Sequence, residues 1–463
     1  MRRFVFAAAL FAAVAGCSQR QAGAGEEARE RSLLLTGAAI VDADAVAVSE
    51  PKDVLIIDGV IREVTGVGEI DGARAAQTVD ASGLFLSPGL IDGHAHVGDG
   101  GLGINTDGDR IAAMAQFVRY GVTAIFVPGG TGGNDEQLAE WKDRCASGKL
   151  VCPRVFGSGD LITAPDSHPI GTIMEFPPDA TQADFHKRGV MALAEDEPAE
   201  PMIAAKAAAG VDAIKIVIED GPLPWYPRPR LSKEKVKDIV DAAHAHDLRV
   251  FAHVSLAEHV VDGVEAGVDG FMHSAETPIP EATLEEMARR GVFYLATLSL
   301  HDGLMDDALG GFKEEPYAAK GVSAKAIESL KAKEREGGIS QEELAEWKNA
   351  LASNLLAVRD AGALLALGTD VNNPTVYPGY SAHEELALMV EAGLTPAEAL
   401  NAATRGGAAF LGREGELGRI APGYRADMIA TRANPLDDIL NTRTLEFVVL
   451  NGAVRRDVVS ADD

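Results

Sequence analysis

Pro88-Gly89-Leu90-Ile91-Asp92-Gly93-His94-Ala95-His96 carries the strongest chemical signal in this chain. It reads as an apolar strand ending in two histidines one residue apart. Side chains along a strand alternate faces, so His94 and His96 present two imidazoles to one spot, which suits a divalent metal. Paired histidines also occur as ordinary polar residues. Here the pair follows a Pro-Gly turn and an apolar run, and a Gly-rich segment from Gly98 to Gly103 comes after it. A strand that stops in a loop is where parallel α/β sheets place ligands.

Three more polar residues end apolar runs. Phe251-Ala252-His253, Gly270-Phe271-Met272-His273 and Gly368-Thr369-Asp370 each close a strand-like segment. His244, His246 and His259 read instead as ordinary helix-face histidines. Lys215 interrupts Asp212-Ala213-Ile214-Lys215-Ile216-Val217-Ile218, a strand expected to be buried on both faces. A buried ammonium is costly and readily loses its proton, and a neutral amine can take up carbon dioxide as an anionic carbamate with two oxygens. The bland alternative is a lysine whose head reaches solvent.

The elements that would position these residues alternate. Strand candidates are the segment before His94, Val122–Val127, Arg154–Gly157, Asp212–Ile218, Arg249–His253, Asp269–His273, Val292–Ala296 and Leu364–Leu367. Helix candidates are Ile111–Tyr120, Glu136–Cys145, Pro201–Ala209, Lys233–His246, Ala257–Ala266, Ala282–Arg290, Glu342–Ala361 and Ala382–Ala392. Eight such strands imply an α/β fold, a (β/α)8 TIM barrel spanning 88–413, with its site at the C-terminal strand ends. Segments 33–87 and 414–459 are strand- and turn-rich, with hairpin turns at Asp58-Gly59 and Asn451-Gly452. They predict a small β-sandwich domain built from both ends of the chain. Leu161 to Pro198 and Gly221 to Arg230 lack periodicity and read as loops over the site.

At the N-terminus, Arg2 and Arg3 precede an apolar run from Phe4 to Val14 that is short for a membrane span. Residues 1–17 resemble a bacterial lipoprotein signal peptide ending at Cys17, which would be lipidated; residues 18–32 read as a flexible tether. By that resemblance, Ser18 points to the outer membrane of a Gram-negative bacterium, with the protein in the periplasm and its only membrane contact through the lipid. A formal charge of −28 argues against nucleic acid as a partner. Cys145 and Cys152 either close a small disulfide loop, as an oxidising compartment would favour, or remain free thiols.

The motif set resembles the amidohydrolase superfamily, in its imidazolonepropionase-like and prolidase-like branch. The motifs are PGLIDGHAH, the lysine of IKIVIE, FAH, FMH, GTD and the tail LTPAEALNAATRGGAAFLGREGELGRIAPGYRADMI, over about residues 33–455. The resemblance implies that His94, His96 and Asp370 hold one divalent ion, that His253 and His273 hold a second, and that carbamylated Lys215 bridges them, with zinc as the metal. Two cations would acidify a bridging water, and Asp370 would carry its proton to the leaving amine. Relatives with one metal need an acid soon after the fifth-strand histidine; Glu258 fits that role poorly, which favours two metals.

The expected reaction is hydrolysis of a C–N bond in a small molecule or short peptide such as a dipeptide. Tyr226, Arg228 and Arg230, just beyond the strand of Lys215, could grip a substrate carboxylate, or could be surface residues of a Pro-rich loop. His168 could reach the site from the third loop. Open alternatives are a cyclic amidase or deaminase with one metal, and a lipoprotein that binds a ligand without catalysis. A homo-oligomer is compatible with the sequence and not specified by it.

Overall fold

The computed structural model describes residues 31–98, 106–130, 132–174, 176–222, 226–308, 340–373 and 375–456. The lipobox, with Cys17, lies outside them. Among the described residues no helix is long and apolar enough to cross a membrane.

The fold is mixed α/β. Two sets of parallel strands form its interior: Leu90–Asp92, Val122–Val127 and Arg154–Gly157 in one sheet, and a seven-stranded sheet that includes Ile214–Val217, Val250–His253, Gly270–Met272, Phe293–Leu295 and Leu364–Leu365. All eight expected strands are present. They are short and apolar because helices cover their outer faces; every residue of Val122–Val127 is buried. Hydrogen bonds link the two sheets. Gly93 N donates to Leu367 O and Asp370 N to His94 O, while Asp212 N donates to Gly157 O. Phe126, Phe251 and Phe293, from three different strands, gather around Phe410, with ring centroids 4.4–5.7 Å from it. This aromatic layer includes the residue two before His253, so it underlies the imidazoles on the same side of that strand.

Both ends of the chain share a nine-stranded sheet. Ala453–Arg455, Leu445–Leu450, Met428–Thr431, Phe85–Pro88, Ser32–Asp42, Lys52–Ile57 and Val60–Gly66 follow one another in it. A register shift between Leu35 and Ala38 lets the 11-residue strand Ser32–Asp42 pair with different neighbours along its two halves. Asp58-Gly59 and Asn451-Gly452 turn with positive φ at both residues, as tight hairpins require.

The expectation of structureless loop over 161–198 needs correction. Leu161–Thr163 and Val190–Ala192 are parallel strands that extend the larger sheet beyond Ile214–Val217, and Gln182–His186 is a short helix. Three-residue strands are too short to show a period, so their identity comes from backbone pairing instead. Leu298–Ala308 is a helix that the periodicity did not mark. The helix expected from Ile111 begins at Asp107, because Thr106 and Asp109 form a reciprocal cap over a polar first turn. Cys145 and Cys152 are joined in a disulfide, with Cα atoms 5.6 Å apart.

Candidate active site

The strand ends converge. His94 and His96 approach one oxygen of Asp370, with Nε2–Oδ1 distances of 3.2 and 3.0 Å. The ligand atoms of these three residues lie within 4.8 Å of one another. His273 stands between the pair and His253, its ring centroid 4.7 Å from that of His94 and 4.2 Å from that of His253. His168 continues the row, 5.1 Å from His253. The loop histidine is therefore brought to the site. Tyr226 is exposed on its own loop, and Arg228 is paired with Asp166 at 3.1 Å. Arg230 bridges Asp220 and Asp262.

Three of the imidazoles are oriented by their neighbours. His96 Nδ1 bonds Gly129 O at 2.9 Å, and His273 Nδ1 bonds Thr297 Oγ1 at 2.9 Å, so Nε2 is the nitrogen left over in both. His253 is held the other way round: its Nε2 bonds Glu219 Oε2 at 3.0 Å, leaving Nδ1. Such anchoring of the distal nitrogen by a carbonyl, hydroxyl or carboxylate is characteristic of imidazoles that serve a metal. Asp370 and His273 have φ of 59° and 87°, and Thr297, which holds His273, has φ of 49°. Left-handed backbone at non-glycine residues is sparse and costly, and it concentrates where function demands it.

Asp92 ties the two sides together. It is completely buried; its Oδ1 accepts from His94 N and Thr369 N, both at 3.1 Å, and its Oδ2 accepts from Thr369 Oγ1 at 2.6 Å. Gly93 sits where the strands meet closely, since a Cβ there would lie 2.9 Å from Leu367 O and 2.7 Å from Leu295 Cδ2. Neither residue carries a role in the sequence reading. Asp92 precedes His94 by two, so the alternation that paired the histidines also pointed to it.

Burial dominates the electrostatics. Lys215 is 2% exposed, and burial pulls its amine down to about 7, against the opposing influence of Asp370 and Glu219. Its Nζ touches Met272 Sδ at 2.9 Å, and among the described residues it meets no carboxylate within ion-pair distance. Burial lowers His94 to about 3 and His168 to about 4, and it holds His273 well below the usual imidazole range. Burial raises Asp370, but the neighbouring imidazoles of His94 and His96 outweigh it and hold the carboxyl well below its ordinary value. Glu219 is similar: burial pushes it up, yet His253 above all brings it down to about 2. The site thus offers neutral imidazoles, charged carboxylates and an amine near neutrality.

That donor set fits divalent cations. His94 Nδ1 is buried without a hydrogen-bond partner, and Asp370 Oδ1 has the two imidazole nitrogens at 3.0 and 3.2 Å but not aligned for hydrogen bonding, a condition that coordination would relieve at the oxygen. A second group, His168, Glu219 and His253, likewise brings its ligand atoms within 4.8 Å of one another. The third such group does not qualify on chemistry. His259 Nδ1 accepts from the amides of Ser255 and Leu256, and Nε2 bonds Asp220, so this histidine caps the Ala257–Ala266 helix. Glu258 is exposed beside it.

A parallel α/β interior thus gathers imidazoles and a carboxylate at its strand ends, with a buried lysine on a neighbouring strand, as a candidate metal site. The chain belongs to the amidohydrolase family, whose model matches residues 85–455. It is 27% identical over 382 residues to ochratoxinase of Aspergillus niger, covering 76% of this chain and 71% of that protein. Among solved structures it is similar to a putative prolidase from Bifidobacterium longum, at 25% identity and a TM-score of 0.69, covering 92% of this chain and 94% of the other. It also shares its fold with a Xaa-Pro dipeptidase bound to methionine, at 22% identity and a TM-score of 0.71, with 92% and 99% covered.

Proposed function

We propose that the protein is a metal-dependent amidohydrolase that cleaves an amide C–N bond in a small substrate, a short peptide such as a dipeptide. The observation that carries this reading is Lys215: a buried amine close to neutrality, without a carboxylate partner, on the strand that pairs with the one ending in His253. An unpaired buried lysine has little structural use and is suited to carbamylation. We read the parallel strands as a closed eight-stranded barrel with this site at its mouth.

In the proposed arrangement His94, His96 and Asp370 would hold one divalent ion and His253 and His273 a second, with carbamylated Lys215 as a ligand shared by both and zinc suited to such nitrogen and oxygen donors. Bound cations would supply Lewis-acid polarisation of the scissile carbonyl and acidify a water. The remaining work falls to the chain. Asp370, kept anionic among the imidazoles, accepts the proton of the attacking water and delivers it to the departing amine nitrogen. His96 and His273 keep their orientation through Gly129 O and Thr297 Oγ1. His168, whose ring lies 5.1 Å from that of His253, would meet the substrate from its loop. Membership of the amidohydrolase family supports hydrolysis, and the likeness to ochratoxinase and to a putative prolidase is consistent with an amide or peptide substrate. Residues 1–32 would export the enzyme and tether it at Cys17.

The test is a hydrolysis screen over dipeptides and simple amides with metal-loaded protein, with Lys215→Ala as control. Release of free amine by the wild type, lost in the variant, is expected. Two bound metal equivalents without turnover of any amide would overturn the reading.

A further inference from the structure

Glu219 is not spent by orienting His253. Its side chain is 3% exposed, and its two oxygens differ. Oε2 accepts from His253 Nε2 at 3.0 Å. Oε1 is buried and has no hydrogen-bond partner. His168 Nδ1 lies 3.6 Å from it, and that nitrogen is already engaged with Thr172 Oγ1 at 2.7 Å. The Ser255 hydroxyl lies beside the carboxylate without bonding Oε1. A second carboxylate, Glu276, is close enough to feel the charge of Glu219. The cations of the neighbouring loop are used elsewhere: Arg228 on Asp166, and Arg230 on Asp220 and Asp262. A buried charged acceptor left unmade costs free energy, so an arriving donor is strongly favoured there, and a positive one most of all.

We propose that Glu219 Oε1 receives a primary ammonium group on the acyl half of the substrate. The enzyme would thus act on aminoacyl amides with a free α-amine rather than on N-acylated ones. This rests on the function proposed above and narrows its substrate class. An α-ammonium is one carbon removed from the scissile carbonyl. Glu219 is one hydrogen bond removed from His253, an imidazole assigned to the metal pair, so the two separations correspond.

The test compares kcat/KM for Ala-Pro and for N-acetyl-Ala-Pro, with calorimetric binding of alaninamide and N-acetyl-alaninamide as a readout independent of turnover. The wild type is expected to prefer the free amine about tenfold or more in both, as a charge-assisted hydrogen bond implies. Glu219→Gln keeps an oxygen for His253 but replaces the charge; it should bring the two substrates to within about twofold while metal content stays at the wild-type value. Glu219→Asp, which retains the charge, should keep a preference for the amine. Equal use and equal binding of both compounds by the wild type would overturn the proposal. So would an undiminished preference in Glu219→Gln, or a loss of metal in that variant as its sole effect. If no amide is hydrolysed at all, the preceding reading fails, while the binding comparison still decides this one.

Discussion

Replacing Asp92 should uncouple the two halves of the site. The residue joins the end of Leu90–Asp92 to the segment after Leu364–Leu365 through three donors: His94 N, Thr369 N and Thr369 Oγ1. Asp92→Ala leaves all three buried and unmatched, at about 1–3 kcal/mol each. Some of this cost is recovered, because Thr369 Oγ1 can turn to His94 O, now 3.5 Å away. A net loss of about 3–6 kcal/mol is a large part of the stability of an ordinary domain. Asp92→Asn retains the oxygen that serves both backbone amides and can donate to Thr369 Oγ1 in place of accepting, so its cost should stay near 1 kcal/mol, about that of one hydrogen bond. The assay is thermal unfolding of both variants beside metal content after dialysis against a fixed free zinc concentration. Asp92→Ala should melt well below Asp92→Asn and hold less metal at the position of His94 and Asp370. Equal melting and equal metal retention in the two variants would refute the assignment of Asp92 as the tie between these strands.

Other expectations follow from single contacts. Gly93→Ala introduces a methyl 2.9 Å from Leu367 O, so it should destabilise by about 1–3 kcal/mol and weaken metal retention, read by the same melting and dialysis. Reducing Cys145–Cys152, or replacing both with serine, opens a loop with a sequence separation of 7 and should cost about 2–3 kcal/mol by denaturant titration. Glu385 accepts from Leu298 N and Ser299 N at the start of a helix, and burial raises its carboxyl to about 7. An acid raised in the folded state contributes stability fully below its unfolded value, and loses it as pH climbs through about 4 to 7. Glu385→Gln cannot ionise, and its amide nitrogen gives up one of the two bonds from Leu298 N and Ser299 N, so it should sit a constant amount lower near pH 4 while the wild type loses up to about 3 kcal/mol relative to it between pH 4 and 8. A gap between the two that does not narrow over that range would mean that the helix amides outweigh burial and keep Glu385 charged.

Much of the site was legible because each of its residues ends an apolar run. His94, His96, His253, His273 and Asp370 follow strands that announce themselves by composition, and Lys215 stands out as a charge within one. The hairpins at Asp58-Gly59 and Asn451-Gly452 were legible for a different reason, since few dipeptides accept positive φ twice in succession. The residues that orient the site were harder to see. Glu219 and Asp92 are carboxylates among many, and only pairing across 34 positions to His253, or across 277 to Thr369, gives them meaning. Gly129 acts through its carbonyl, which side-chain type does not report, and Thr297 acts through a hydroxyl that gains meaning only from its contact with His273, 24 positions away. The strands Leu161–Thr163 and Val190–Ala192 were hidden because three residues cannot display a period. Arg228 shows the converse: its type suggested a free carboxylate clamp, whereas the fold gives it Asp166.

The central claim is that the amine of Lys215 becomes a bridging ligand for a cation pair. Metal content of protein reconstituted with zinc, with and without bicarbonate, tests it most directly when measured for the wild type and Lys215→Ala. Two equivalents per chain in the wild type with bicarbonate, and one or fewer in Lys215→Ala, are predicted. Two equivalents retained by Lys215→Ala, regardless of bicarbonate, would contradict it.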